Sequence, residues 1–244
     1  MKGKADHIGQ QIEEALQMLS TPERAVQMPR YFKTGKGEYG EGDIFYGVSV
    51  PDQRSVAKEF YKEISLEELS DVLKSEVHEM RLTAILIVVA KYEKGKKTLQ
   101  KKREVVDFYL NHLEYVNNWD IVDSSAHKIL GDYAFRNDEE EILYRLSSDE
   151  NMWKKRVAVV GSFWFIKHKH YELTQKLVLN NLKHSHDLMH KANGWMLREI
   201  GKKDESVLLS FLDKYYKEMP RTSLRYAIER LDEDLRQDYL KGNI

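Results

Sequence analysis

Arg156-Val157-Ala158-Val159 decides the fold: a basic residue opens an apolar helical run. The same opening stands upstream at Arg81-Leu82-Thr83-Ala84 and downstream at Lys191-Ala192-Asn193-Gly194, and Trp119 holds the corresponding place between the first two. From position 81 to 119, 156 and 191 the steps are 38, 37 and 35 residues. A period of that length with two helices per unit is the signature of HEAT-like repeats. One helix pair cannot bury its own apolar face, so neighbours stack into a continuous core and equivalent positions fall in a row. The sequence therefore predicts an all-α protein: an α-solenoid of HEAT-like helix-pair repeats with a concave basic groove.

Composition agrees. The chain has 244 residues and only four prolines, and helix formers dominate it. No linker is rich enough in Pro, Gly or Ser to separate domains. A single repeat domain is expected over 1–244, with N-terminal helices and a Gly-rich loop in 1–50 and the repeats in 51–244. There is no cysteine, which excludes disulfides, thiolate metal sites and a thiol nucleophile. The N-terminus lacks an apolar signal core, and Ile85-Leu86-Ile87-Val88-Val89-Ala90 is too short to span a bilayer. A cytoplasmic protein without a membrane partner is expected.

Apolar periodicity predicts a first helix over 5–19, with Ile8, Ile12, Ala15 and Leu19 on one stripe. Thr21-Pro22-Glu23 starts a second, with proline at the first helical position. Further helices are predicted over 52–63, 66–74, 78–92, 97–115, 119–133, 139–148, 152–167, 171–183, 188–200, 205–217 and 223–239. Gly35, Gly37 and Gly40 spell G-x-G-x-x-G. No strand precedes them and Pro51 follows closely, so a dinucleotide site is rejected on context.

The net charge of −1 does not by itself predict a nucleic-acid partner. Its distribution does. Between 151 and 203 lie eleven basic residues and only three acidic ones, Glu172, Asp187 and Glu199. A second basic run lies over 91–103, whereas Asp138-Glu139-Glu140-Glu141 and Asp232-Glu233-Asp234 concentrate acids elsewhere. Such segregation makes a basic face on a neutral protein, although Lys-rich helix surfaces are also common without a partner.

Asn117-Asn118-Trp119-Asp120-Ile121-Val122-Asp123-Ser124-Ser125-Ala126 carries the chemistry. An Asn in capping position starts the helix. Trp119 and Asp123, four residues apart, share one face. An aromatic ring beside a carboxylate suits a cationic ligand or a positively charged transition state. Read alone, the pair is better taken as a core Trp and a first-turn Asp favoured by the helix dipole. The repeat register adds weight. Trp119 and Arg156 hold equivalent positions, and Trp195 lies one turn after Lys191, so all four are expected to face one groove. His168, His170, His184, His186 and His190 invite a metal reading, but no helical carboxylate completes a ligand set. They read as a solvated basic edge, and neither metal nor cofactor is expected.

Taken together, Tyr31-Phe32-Lys33-Thr34-Gly35, Tyr39-Gly40-Glu41-Gly42-Asp43, Gly47-Val48 to Pro51, Trp119-Asp120-x-Val122-Asp123, Trp153-x-x-Arg156-x-Ala158 and Lys191-Ala192-x-Gly194-Trp195-x-Leu197-Arg198-Glu199 resemble the AlkD-like family of HEAT-repeat DNA alkylation repair glycosylases. The resemblance covers nearly the whole chain and carries the family's active-site residues onto Trp119, Asp123, Arg156 and Trp195. It also carries a DNA-contacting lysine onto Lys202 and, more loosely, an aromatic onto Tyr31. With the basic stretch, the candidate DNA contacts are Lys154, Lys155, Lys191, Arg198, Lys202, Lys203 and Tyr31. The resemblance implies a monomeric, monofunctional glycosylase that hydrolyses the N-glycosidic bond of cationic N3- or N7-alkylated purines in double-stranded DNA, without flipping the base. The alternative is a non-catalytic HEAT-repeat scaffold for DNA or protein. Retention of Asp123 argues against it, since a carboxylate facing phosphates would repel them.

Overall fold

The computed structural model describes residues 7–95 and 98–244. Ala5, Asp6 and Lys97, with which two predicted helices begin, lie outside the described residues. Within them the chain is all-α, as expected. No β-strand forms among the described residues; Ile44 and Val77 make an isolated parallel bridge.

Local chemistry sets the helix starts. Thr21 precedes α2 (Pro22–Tyr31), with Pro22 in its first turn. Ser49 caps α3 (Val50–Phe60) by accepting from the Asp52 N–H. Ser65 and Glu68 form a reciprocal capping box on α4 (Leu66–Leu73), satisfying N–H groups that a helix start leaves unpaired.

The chain divides into two compact units, Met1–Ser125 and Ala126–Ile244. In the first, α5 (His78–Lys94) is the central helix. It packs on α1 (His7–Met18), α3, α4 and α6 (Leu99–Asn111), and almost all its surface is buried. The stripe on α1 runs through Ile12 and Leu16, both fully buried. Leu19, expected on it, lies past the helix end and is 41% exposed. The unit ends on α7 (Trp119–Ala126).

The second unit holds a π turn (His127–Gly131), α8 (Asp132–Arg136), α9 (Glu141–Ser147), α10 (Met152–Gly161), α11 (Phe163–Lys167), α12 (Glu172–Asn180), α13 (Asp187–Gly201), α14 (Glu205–Tyr215), α15 (Arg221–Ala227) and α16 (Glu233–Lys241). Here α13 is central, packed on α10, α14 and α15. Gly194 permits the last of these contacts, because a Cβ there would stand 2.4 Å from the Ser223 carbonyl oxygen.

Four predicted helices are interrupted among the described residues, the first, over 97–115, by the close of α6 at Asn111 ahead of a 3-10 turn at Leu113–Tyr115. The helix predicted over 119–133 contains the π turn and runs on to Arg136. That over 152–167 breaks at Ser162. That over 223–239 is two helices, because the Asp232 side chain accepts from the Asp234 N–H at 3.0 Å and starts α16 afresh. Buried Leu224, Ala227 and Leu231 continue the apolar spacing through that break and conceal it in the sequence.

Candidate active site

The start of α7 is built by Asn118. Its side-chain oxygen accepts from the Trp119 N–H at 2.8 Å, and its carbonyl accepts from Val122 N–H at 3.1 Å. Ile121, Val122 and Ala126 bury one side of the helix completely. Trp119 and Asp123, one turn apart, remain half-buried.

Aromatic packing fixes Trp119. Its ring stacks on Phe32 at 5.5 Å and 14°, and Tyr31 meets it edge-on at 5.7 Å. Tyr31 is 65% exposed. The structure thus brings together Tyr31 and Trp119, two of the residues singled out in the sequence. A stacked ring flanked by an edge-on ring is a rigid surface that can face a cation with its π density.

Behind these rings lies a buried charge network that the sequence reading missed. Phe32 packs on the His78 ring at 4.6 Å. His78 Nε2 is 2.8 Å from the Asp120 carboxylate and Nδ1 is 3.2 Å from that of Asp43. Arg81 donates from Nη2 to Asp43 at 2.6 Å and from Nη1 to the Ser75 carbonyl at 2.8 Å. With a carboxylate at each ring nitrogen, both must carry hydrogen, which makes the ring an imidazolium. Burial alone would push His78 down. The charge and hydrogen bond of Asp120 and the hydrogen bond of Asp43 outweigh it and raise His78 to about 9. Burial likewise pushes the Asp43 carboxyl up, but His78 and Arg81 hold it below the usual carboxylate range.

Glu79 ties down the adjoining connector, accepting from the backbone N–H groups of Tyr46, Gly47 and Val48 at 3.2, 2.8 and 3.2 Å. Gly47 holds φ at +80°, where a Cβ would stand 2.2 Å from the Thr21 carbonyl. A signal for this network was present: His78, Glu79 and Arg81 interrupt an otherwise apolar helix, and buried charges require partners. Asp43 and Asp120 lie inside the family signatures, but nothing in the sequence alone gives them a role.

Below Asp123, the fully buried Tyr109 hydroxyl pairs with Ser125 Oγ at 2.8 Å. Burial raises the Tyr109 hydroxyl far above its ordinary value, and the negative charge of Asp123 adds to that rise. The Gly-rich loop is occupied from within: Glu38 accepts from Gly35 N–H at 2.9 Å and Glu41 from Gly37 N–H at 2.8 Å. Those N–H groups are not available to a phosphate, in keeping with the rejected dinucleotide site.

In the second unit, Arg156 is buried on α10 and donates from Nη1 to the Leu188 carbonyl near the start of α13. Trp195 is half-buried on α13; its Nε1 donates to Glu199 at 3.2 Å, and its ring lies 6.3 Å from Phe163. The basic residues carry more acidic partners than the 151–203 window suggests. Lys154 pairs with Asp149 at 3.0 Å, Lys191 with Asp187 at 2.7 Å, Lys202 with Glu199 at 2.8 Å, and Arg198 with Glu229. Lys155 donates to the Ser147 carbonyl at 3.3 Å, and Lys203 is exposed.

The histidines mostly cap backbone. His184 Nδ1 accepts from His186 N–H at 3.1 Å, His186 Nδ1 from Leu188 N–H at 3.1 Å, and His190 Nε2 donates to the His184 carbonyl at 2.5 Å. Burial, then the surrounding positive charge, lowers His184; burial also lowers His186. No group of three or more His, Asp or Glu able to hold a metal occurs among the described residues, and no described helix is long and apolar enough to cross a membrane.

The sequence model of the DNA alkylation repair enzyme family matches residues 12–231. No curated protein matches the chain. Among solved structures it is similar to a predicted DNA alkylation repair enzyme from Enterococcus faecalis, with a TM-score of 0.68 and 19% identity over 88% of this chain and 97% of that one. At that identity the likeness establishes the fold alone.

Proposed function

The chain belongs to the DNA alkylation repair enzyme family, and we propose that within it the protein is a monofunctional glycosylase releasing cationic N3- and N7-alkylpurines from double-stranded DNA. The observation that carries the reading is Asp123 one helical turn from Trp119, whose ring is held by Phe32 and flanked by Tyr31. An alkylated purine is already positively charged and leaves without protonation. Breaking its glycosidic bond makes an oxocarbenium-like sugar, which a nearby carboxylate stabilises while orienting water. Asp123 has that role. Trp119 and Tyr31 offer π faces to the developing cation, in a manner that needs no base-flipping pocket.

In the second unit, Trp195 is assigned a contact to the DNA, with Lys154, Lys155, Lys191, Arg198, Lys202 and Lys203 at its phosphates, while Arg156, buried on α10, supports that surface through the Leu188 carbonyl. The protein acts as a cytoplasmic monomer built of HEAT-like repeats. Metal and cofactor have no part in this mechanism, because the substrate brings its own leaving-group charge.

The test is incubation with a duplex carrying one N7-methylguanine, followed by assay for free base and, separately, for strand cleavage with and without alkali. Free base with an intact, alkali-labile strand is expected. Salt-dependent duplex binding without base release would establish the scaffold alternative. Strand cleavage without alkali or added amine would point to a Schiff-base lyase and refute the monofunctional mechanism.

A further inference from the structure

His78 has no part in the chemistry just proposed, yet it touches Asp120, Asp43 and Phe32 around Trp119. Asp120 is Trp119's neighbour in the chain, so the 2.8 Å contact to His78 anchors the first turn of α7. Asp43 ends the Gly-rich loop, which the 3.2 Å contact ties to the same ring. Phe32 lies against both aromatic systems, 4.6 Å from the imidazole centroid and 5.5 Å from that of Trp119. We propose that His78, as an imidazolium bridging Asp43 and Asp120, is the positioning residue that fixes Trp119 and Tyr31 as a rigid surface for the alkylated nucleotide. This rests on the reading that Trp119 and Asp123 act on alkylated DNA.

The charges explain why an imidazolium is needed. From the loop His78 faces Asp43, and from α7 it faces Asp120. On its own helix, Arg81 repels it but is paired with Asp43, and Glu79 is engaged by the backbone N–H groups of residues 46–48. The remaining sides are Phe32 and Phe45, which carry no titratable group. Asp43 and Asp120 are balanced by Arg81 and the protonated His78. Loss of that proton leaves one uncompensated negative charge in a buried site. A neutral imidazole also has a single N–H, so one carboxylate would face a lone pair. Apolar groups of similar volume commonly stabilise a fold as well as a buried ion pair does. A paired imidazolium instead gives each partner a fixed direction.

Two measurements test this. The first follows the indole N–H resonance of Trp119, identified by its absence in Trp119→Phe, while the intact protein is titrated. It should shift with the same midpoint as the His78 ring, at about 9, and that transition should vanish in His78→Gln. The second is single-turnover release of N7-methylguanine near neutral pH. His78→Gln and Asp120→Asn should each slow release several-fold, up to the roughly 2- to 30-fold that loss of the Trp119 ring's cation–π contact would cost, with duplex affinity almost unchanged. An indole resonance indifferent to the His78 titration, or a folded His78→Gln variant with the parental release rate, overturns the inference. If His78→Gln fails to fold, titration of the parent still decides it. If the parent releases no base while the indole follows His78, the glycosylase reading fails and the positioning role stands.

Discussion

The surroundings of Trp119 and the basic stretch over 151–203 are the two strongest signals in the sequence, and the structure treats them oppositely. Around Trp119, residues that look independent in the chain converge. Tyr31 and Phe32 flank its ring, and His78 joins Asp43 to Asp120 behind them. In the basic stretch, residues that look concerted are divided among separate partners. Asp149 and Glu229, both outside the window, take Lys154 and Arg198, while Glu218, also outside it, takes Lys183 at 2.9 Å. A buried polar group must be paired whatever its sequence distance, so a signature made of such groups survives folding. A window count of surface charge does not include the acids that the fold brings back.

The largest effect should therefore come from the first region. Asp123→Asn keeps the shape beside Trp119 and removes the negative charge. Losing one such electrostatic stabiliser typically costs about 2.7–4 kcal/mol, so single-turnover base release should fall roughly a hundred- to a thousandfold. A variant as fast as the parent would remove Asp123 from the chemistry and leave the two regions equal as binding surfaces.

The second effect is on stability. His78 is raised from its ordinary 6.5 to about 9 in the folded protein. Its contribution is fully present below the unfolded value and is lost as pH rises through the folded one. Urea denaturation of the parent should lose roughly 3 kcal/mol between pH 6 and pH 9.5 on this account, and His78→Gln should remove most of that slope. A parent as stable at pH 9.5 as at pH 6 would mean that the imidazolium is not the folded form.

Trp119→Ala comes third. It removes a cation–π partner worth about 0.5–2 kcal/mol, so release should slow by roughly 2- to 30-fold. Trp119→Phe, which keeps a ring against Phe32, should lie closer to the parent. Equal losses in both variants would show that the indole itself, rather than any ring stacked on Phe32, is what the site uses.

The all-α class was legible because apolar spacing is a local property. Chain breaks were less so: Leu231 continues the spacing through the point where Asp232 starts a new helix. Tyr31 enters the site on a loose local match, and the structure sets it against Trp119. His78, Glu79 and Arg81 escape notice because a helix read by its apolar residues hides the charges within it. Their partners are distant in sequence, and only the fold pairs them. Asp123 and Trp119 were visible as one helical turn. What lies behind that turn was not, since Tyr109 and Ser125 meet from different helices.

The smallest effect lies in the basic stretch. Arg198 is only 19% exposed and is paired with Glu229, which is 46% exposed. Exposed ion pairs are worth about 0–1 kcal/mol, so replacing the acid costs little stability. If Arg198 meets a phosphate, Glu229→Gln frees it from a competitor. Duplex affinity should then rise a few-fold at low salt, with the slope of log affinity against log salt steeper by less than about one phosphate's share of 0.9. Lys203→Ala should flatten the same slope. Lys202→Ala should flatten it less, because Glu199 already holds Lys202 at 2.8 Å. Fluorescence anisotropy with an unmodified duplex over a range of salt reads all three without reference to catalysis. A slope unchanged by any of them would mean that this stretch is solvated surface, and that DNA is held elsewhere.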